Sequence, residues 1–281
     1  MRGRQPSQTA RGAAAYRALH QTLDGGVIFR DPLASKLLDD ETLPRLDEIA
    51  ADDSLRPWRL FIAARSRFSE DALAASVAGG VRQVVILGAG LDTFSLRNPH
   101  GDQGVRVFEV DHPATQEWKR ERLQQAGVAV PASLTFAPID FERESLADGL
   151  KAVGFQADRP AFFQWLGVVP YLTRAAVSAT LEFIAGVPGS EVVFDYAEPL
   201  ENYRADRRAQ VTAVAARAAE RGEPWLSLFD PAELSELLRE KGFSTIEDLG
   251  LGEIADRLYG ALKDGISIGP GAHLVRARHL P

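Results

Sequence analysis

The chain has no cysteine in 281 residues, a single methionine and only five histidines. Without thiols there is neither a disulfide framework nor a thiolate metal site, and so few imidazoles argue against a protein-built zinc or iron centre; no metal is expected. Long hydrophobic runs are missing as well. The strongest stretches, Val84–Leu87 and Val192–Phe194, are strand-sized, far short of the roughly 18 to 20 apolar residues that cross a bilayer. Nor is there an excess of positive charge. With 32 Lys and Arg against 39 Asp and Glu the net charge is −7, which offers no broad cationic face to displace counterions from a nucleic-acid backbone. These absences leave a cytoplasmic globular protein with a small-molecule partner as the expectation, without membrane or nucleic acid, and they say nothing of oligomeric state.

One segment departs from this balance. Residues 1–22 carry Arg2, Arg4, Arg11 and Arg17 and no acid, the composition of an organellar transit peptide. The same stretch also reads as part of the fold, because Ala10–Leu23 is an Ala-rich helix with Tyr16, Leu19 and Leu23 at i, i+3 and i+7. The helix is the preferred reading.

What the chain does have is a change of period. Its 45% hydrophobic content is enough for a full core, and no repeat or low-complexity tract interrupts it. The first third reads as helical, with Pro32–Asp39 opened by Asp31 as N-cap and Leu60–Ala78 stopped by Gly79 and Gly80. From Val81 onward short apolar runs alternate with helical stretches, the pattern of a parallel sheet flanked by helices. Seven strands are predicted, at Gln83–Leu87, Arg106–Val110, Leu134–Pro138, Ala161–Trp165, Glu191–Asp195, Ser244–Asp248 and His273–Ala277. Helices are expected at Ala114–Gln125, Arg143–Val153, Arg174–Gly186 and Pro231–Lys241, the last capped by Asp230. The expectation is one α/β domain over 1–281, with a helical N-terminal segment (1–80), a core sheet (81–198 and 230–281) and a helical insertion (199–229) too long for an ordinary connection and placed to act as a lid.

The strongest local signal is the run Val84-Val85-Ile86-Leu87-Gly88-Ala89-Gly90-Leu91-Asp92-Thr93, a buried strand entering a Gly-X-Gly turn. In an open α/β sheet ligands bind at the carboxyl ends of the strands, where such a turn lets a nucleotide-like ligand approach the backbone. Thr93 stands where the dinucleotide fingerprint needs a third small residue, and Asp92 would oppose a pyrophosphate, so NAD and FAD are disfavoured. The next strand ends at Asp111, in the place of a ribose-binding acid. The one after it ends at Asp140-Phe141, a carboxylate for an adenine amino group beside a ring that packs on the base. A phosphate-free cofactor, S-adenosyl-L-methionine, satisfies all three.

Several segments then resemble the leucine carboxyl methyltransferase family: Gln8-Thr9-Ala10, Tyr16-Arg17-Ala18-Leu19-His20, Asp31-Pro32-Leu33-Ala34, Ala64-Arg65-Ser66-Arg67-Phe68, the glycine turn, Phe108-Glu109-Val110-Asp111-His112-Pro113 and Gly167-Val168-Val169-Pro170-Tyr171-Leu172. The likeness is to its bacterial, secondary-metabolite branch and covers most of the chain. It implies a Rossmann-like class I methyltransferase fold with a helical lid, with Arg65 on the methionyl carboxylate, Gly88, Ala89 and Gly90 along the cofactor, Asp111 and His112 at the ribose, and Asp140 with Phe141 at the adenine. Many members carry a glutamate where Trp165 stands, so Trp165 is expected to offer its ring to the sulfonium as a cation–π contact.

Methyl transfer from a sulfonium is an in-line displacement that asks mainly for alignment and exclusion of water. A carboxylate acceptor needs no base, whereas a hydroxyl does; His20 and Tyr171 are the catalytic candidates, with His112 a weaker one because it reads as part of a turn. Arg17, His20, Tyr171 and Trp225 are the expected acceptor contacts, and Trp225, Leu226, Leu228 and Phe229 are expected to make the pocket apolar. The competing readings are a cofactor-binding protein of this fold without transferase activity and, more remotely, a nicotinamide dehydrogenase.

Overall fold

The computed structural model describes residues 7–140, 143–220, 222–266 and 269–279. Seven strands form one sheet: β1 (Gln83–Leu87), β2 (Arg106–Asp111), β3 (Leu134–Pro138), β4 (Ala161–Trp165), β5 (Glu191–Ala197), β6 (Thr245–Leu249) and β7 (Ala272–Arg278). Their spatial order is β3-β2-β1-β4-β5-β7-β6. The first five run parallel, and β7 runs antiparallel between β5 and β6. The strand order reverses between β1 and β4, the switch point at which open α/β sheets bind ligands.

The central strands are buried on both faces, which is why they read as continuous Val, Ile and Phe runs. Alternate residues feed two cores: Val85, Phe108 and Phe163 pack with one layer, Val84, Ile86, Val107 and Phe162 with the other. Helices α1 (Gln8–Leu23), α2 (Leu46–Ala51), α3 (Arg56–Ala78) and α4 (Phe94–Arg97) precede β2. Then come α5 (Pro113–Gln125), α6 (Leu146–Ala152), α7 (Arg174–Ala185), α8 (Ala205–Glu220), α9 (Pro231–Glu240) and α10 (Leu251–Ile254). Asp230 caps α9 by accepting the Ala232 N–H at 2.9 Å, as its position before Pro231 predicts. Among the described residues no helix is long and apolar enough to cross a membrane.

Two local expectations change. Pro32–Asp39 is not a helix but a loop holding one 3₁₀ turn, Ala34–Leu37. Its presumed cap, Asp31, does accept the Leu33 N–H at 3.2 Å, but its second oxygen is taken by Arg17 at 2.8 Å. Helix α6 starts three residues later than the apolar period suggests, where Ser145 accepts the Asp148 N–H.

Arg17 is the main fastening of α1. It is 6% exposed, bonds Asp31 through Nε, and through Nη2 donates to the Leu91 carbonyl at 2.6 Å. Burial resists ionisation of Asp31, yet Arg17 and Arg97 hold its carboxyl below the usual range. Removing one partner of a buried pair leaves an uncompensated charge and costs about 3–5 kcal/mol, whereas an exposed pair contributes about 0–1 kcal/mol. Arg17→Met is therefore expected to lower the unfolding free energy by several kcal/mol in denaturant titration. Arg67→Ala, which breaks the half-exposed Arg67–Asp71 pair, should move it by less than about 1 kcal/mol; equal effects would mean that Arg17 is not the anchor.

Candidate functional site

The turn after β1 needs a left-handed backbone at Gly88 (φ +64°), and a Cβ there would meet Val168 Cγ2 at 2.5 Å. Only glycine fits. The next residues are fastened one by one from different elements. Asp111, at the end of β2, accepts the Gly90 N–H at 2.6 Å; Arg17 of α1 takes the Leu91 carbonyl; Lys119 of α5 donates to the Asp92 carbonyl at 2.7 Å. Beneath the turn the Lys119 ammonium also meets Glu109 at 2.7 Å, and Ser95 donates to the same carboxyl. Burial pushes Glu109 upward against the pull of Lys119 and Ser95. The Asp92 side chain closes the loop by accepting the Phe94 N–H at 2.7 Å and the Gln164 amide at 3.0 Å, and Gln164 in turn accepts from Ser69.

Sheet order sets the predicted acids in a row. Asp140 lies beyond β3, Asp111 at the end of β2 and the glycine turn beyond β1, so the three follow the order of neighbouring strands. Asp111 is half-buried, and burial pushes its carboxyl above the usual range although the N–H groups of Gly90 and His112 pull it down. His112 is the N-cap of α5, its Nδ1 accepting the Ala114 N–H at 3.2 Å. Phe141 lies outside the described residues.

The row continues to β4, where Gly167 (φ +72°) lies against the Arg65 guanidinium. A Cβ on Gly167 would sit 2.8 Å from Arg65 Nη2. Arg65 bonds Asp195 Oδ2 at 2.9 Å through Nη1, and the other Asp195 oxygen accepts the Gly167 N–H at 2.5 Å. The guanidinium is thus held through Nη1, and Nε and Nη2 make no hydrogen bond among the described residues. Asp195 is missing from the sequence reading because a carboxylate within a strand run gives no sign of which loop its tip will meet.

Arg65, Gly167 and Asp195 form one end of a cavity of about 530 Å³. The cavity stands beside this row of strand ends rather than over it: neither the glycine turn nor Asp111 lines it. Its walls include Tyr16, Trp58, Phe61, Tyr171, Tyr203 and Trp225. The Tyr171 hydroxyl is 3.4 Å from Thr9 Oγ1 and lies beside the Trp225 indole, whose N–H falls outside hydrogen-bond geometry. Burial raises the Tyr171 phenol above its ordinary value against Thr9, Trp225 and Arg65, so it stands as a neutral donor rather than a base. Glu223, just after α8, closes one side by accepting the N–H groups of Gln8 and Thr9 at 3.0 and 3.2 Å and the Thr9 hydroxyl.

Other expected contacts lie elsewhere. His20 is fully buried, with Nδ1 on Asp24 at 2.9 Å and Nε2 accepting the N–H groups of Ile28 and Phe29, both at 3.3 Å. With both ring nitrogens engaged inside the fold it does not reach the cavity, and neither does Arg17. Trp165 is 1% exposed and packs on Phe194 at a ring separation of 5.9 Å. It belongs to the core, so its ring offers no face to a sulfonium. Of Trp225, Leu226, Leu228 and Phe229 only Trp225 lines the cavity: Leu226 is 53% exposed, Leu228 is no part of the wall, and Phe229 packs against Tyr196.

A buried polar cluster braces the wall behind Tyr196. His273 bonds Asp248 through Nδ1 at 2.8 Å and Glu198 through Nε2 at 3.0 Å, and the Tyr196 hydroxyl donates to Asp248 at 2.7 Å. Glu198 also accepts from the Gly271 N–H and from Asn202, tying β5 to the start of the insertion. Nothing in the sequence pattern joins these residues, since the antiparallel pairing of β7 brings them together.

Residues 10–185 match the family described as leucine carboxyl methyltransferase. A Bacillus subtilis (strain 168) protein, YktD, provisionally named an S-adenosyl-L-methionine-dependent methyltransferase, is 32% identical over 99% of both chains. A Mycobacterium avium protein with the same provisional name is 32% identical over 84% of this chain and 82% of its own. In fold the chain resembles a DUF574 family protein from Streptomyces avermitilis (TM-score 0.57, 17% identity, 98% of both chains). It also resembles the carbon methyltransferase CurJ (TM-score 0.52, 16% identity, 98% of this chain and 68% of that one). The architecture is that of class I methyltransferases.

The two buried histidines give the fold opposite pH dependences. Burial disfavours charge on His273, but the bonds and charges of Asp248 and Glu198 outweigh it and raise its pKa. Its contribution is complete below the ordinary value of about 6.5 and is lost as pH rises through the folded value. Burial lowers His20 despite Asp24, so its contribution is lost as pH falls from about 6.5. Through these two groups stability should peak near pH 6.5, and His273→Gln should flatten the alkaline flank alone in urea titrations across pH; an unchanged flank would show that the imidazole is not held charged.

Proposed function

The chain belongs to the leucine carboxyl methyltransferase family, and from that premise we propose that it transfers the methyl group of S-adenosyl-L-methionine to a carboxylate or hydroxyl of a small-molecule acceptor. The observation that carries the reading is the row of strand ends: Asp140, Asp111, the glycine turn and Arg65 over Gly167, in the spatial order of β3, β2, β1 and β4. Three strand spacings of about 4.8 Å make this row roughly 14 Å long. It offers acids toward a base and a ribose, bare backbone in the middle and a guanidinium at the far end.

The residues fit S-adenosyl-L-methionine. Asp140 would take the adenine amino group, Asp111 the ribose hydroxyls, and the free Nε and Nη2 edge of Arg65 the amino-acid carboxylate in bidentate fashion. Asp195, on the other edge of Arg65, supplies a carboxylate beside the ammonium position and stands in for the acid that Trp165 does not provide. When bound, the cofactor supplies an electrophilic methyl on a sulfonium. The protein's part is to hold the acceptor oxygen in line with it in a cavity walled by α1 and the insertion. Tyr171 orients the acceptor by donating its phenolic proton. A carboxylate acceptor completes this arrangement without any base; a hydroxyl acceptor would leave its proton to Asp195.

Calorimetry with S-adenosylhomocysteine tests the site. Arg65→Lys keeps the charge and loses the fork, so affinity should fall about tenfold or more, while Arg67→Lys, whose side chain is on the surface, should leave it unchanged. The reverse ranking removes Arg65 from the site. Label from methyl-labelled S-adenosylmethionine should appear in apolar carboxylic or phenolic acceptors, and binding without any transfer across such a panel would favour the non-transferring reading.

A further inference from the structure

We propose that the acceptor carries, besides the group that is methylated, an anionic group bound at the cavity mouth by Arg45, Arg207 and Arg217, with an apolar and preferably aromatic body between the two. The inference rests on the methyltransferase reading of the cavity's inner end and adds what its outer end selects. Helix α8 turns one face to the cavity: Arg207, Val211, Val214 and Ala218 recur at i, i+4, i+7 and i+11, and Arg217 flanks the last of them. On another element, Arg45 and Ile49 present the same pairing of one cation and one aliphatic side chain. Arg45 and Arg217 are exposed and Arg207 is half-buried, so the cations stand at the opening.

None of the three has a carboxylate partner among the described residues. Arg207 donates to Gln210 at 3.3 Å and Arg217 to the Ala213 carbonyl at 3.2 Å. Elsewhere on the surface, arginines pair with acids, as in Arg67–Asp71, Arg174–Glu233 and Arg257–Glu247. The acids that line the cavity are already engaged: Asp195 by Arg65 and Gly167, Glu223 by the start of α1, and Asp52 by Ser54. A chain of net charge −7 thus gathers three uncompensated guanidinium groups around one aromatic-walled opening. Such groups bind carboxylates, sulfonates and phosphates through fork geometry, and a cationic rim over low-dielectric walls raises the local concentration of anions.

The test uses two fluorescent probes with the same aromatic body, anilinonaphthalene sulfonate and the uncharged phenylnaphthylamine, titrated into the full chain. The wild type should bind the sulfonate roughly tenfold more tightly than the neutral probe, with an advantage that shrinks as salt is added. Replacing Arg45, Arg207 and Arg217 together by Gln should remove the advantage and leave the neutral probe within about twofold, while Arg239→Gln on α9, outside the cavity, should do nothing. Equal binding of the two probes by the wild type, or an undiminished advantage in the triple variant, overturns the proposal. S-adenosylhomocysteine affinity is read in the same proteins and should not change. Absence of that affinity in the wild type, with the anion advantage intact, would instead overturn the methyltransferase reading and leave the anion site standing.

Discussion

Three consecutive residues after β1 are held by three ionisable side chains from three separate elements, and everything at the ligand edge depends on that. Asp111 takes the Gly90 N–H, Arg17 the Leu91 carbonyl and Lys119 the Asp92 carbonyl. A glycine-rich turn has many conformations available and loses more entropy on ordering than other segments. Hydrogen bonds to charged groups, each about 1.5–3 kcal/mol, offset that loss. Because β2, α1 and α5 each contribute one bond, the turn is fixed only when all three have docked. The shape of the cofactor row is therefore a product of the whole fold rather than of the Gly-X-Gly sequence.

The same arrangement changes what Asp111 and α1 mean. Asp111 is a structural acceptor whatever it binds, so an alanine there would loosen the turn. Helix α1 is fastened to the turn by Arg17, and a Cβ on Gly90 would stand 3.1 Å from Ala10. It also gives Thr9, Gly12, Ala13 and Tyr16 to the cavity wall. Cofactor edge and acceptor wall are parts of one packed unit, and the N-terminal helix cannot be removed from one without disturbing the other.

The strands were legible because burial on both faces leaves a plain signature, a short Val/Ile/Phe run between punctuating glycines and caps; β1, β3 and β4 have the predicted ends and the others differ by one or two residues. The placement of Asp111 and Asp140 at neighbouring strand ends was legible because there chain order and place coincide. What was not legible is everything made by charged side chains crossing between elements. Arg17 and His20 lie on an amphipathic helix and read as surface or acceptor groups, yet each finds its partners at distant or turned backbone, Leu91 in one case and Ile28 and Phe29 in the other. The His273 cluster depends on an antiparallel register that no local pattern encodes. Trp165 drew attention as a departure from the family, and in the structure the position faces the apolar layer under the sheet edge.

The two covers of the cavity are attached by charged contacts of different kinds. Helix α1 is held by a buried pair, and releasing Arg17 would leave the buried Asp31 to Arg97, 3.6 Å away. The insertion is held across the cavity by Glu223 at the N-terminus of α1, a half-exposed carboxylate on free helix N–H groups. Such a contact is screened by solvent and worth about 0.3–1 kcal/mol. Its neighbours Leu226 and Ser227 share a single carbonyl, that of Pro170. Breaking the Glu223 contact exposes groups that water can satisfy, while the insertion keeps the buried Tyr203, Val211 and Phe229 and the bond from the Ser227 hydroxyl to the Leu172 carbonyl at 2.6 Å. Arg207 and Arg217 of α8 line the same cavity as Tyr171 and Arg65, so the cover fastened by the solvent-screened Glu223 contact is also the cover that carries the cations.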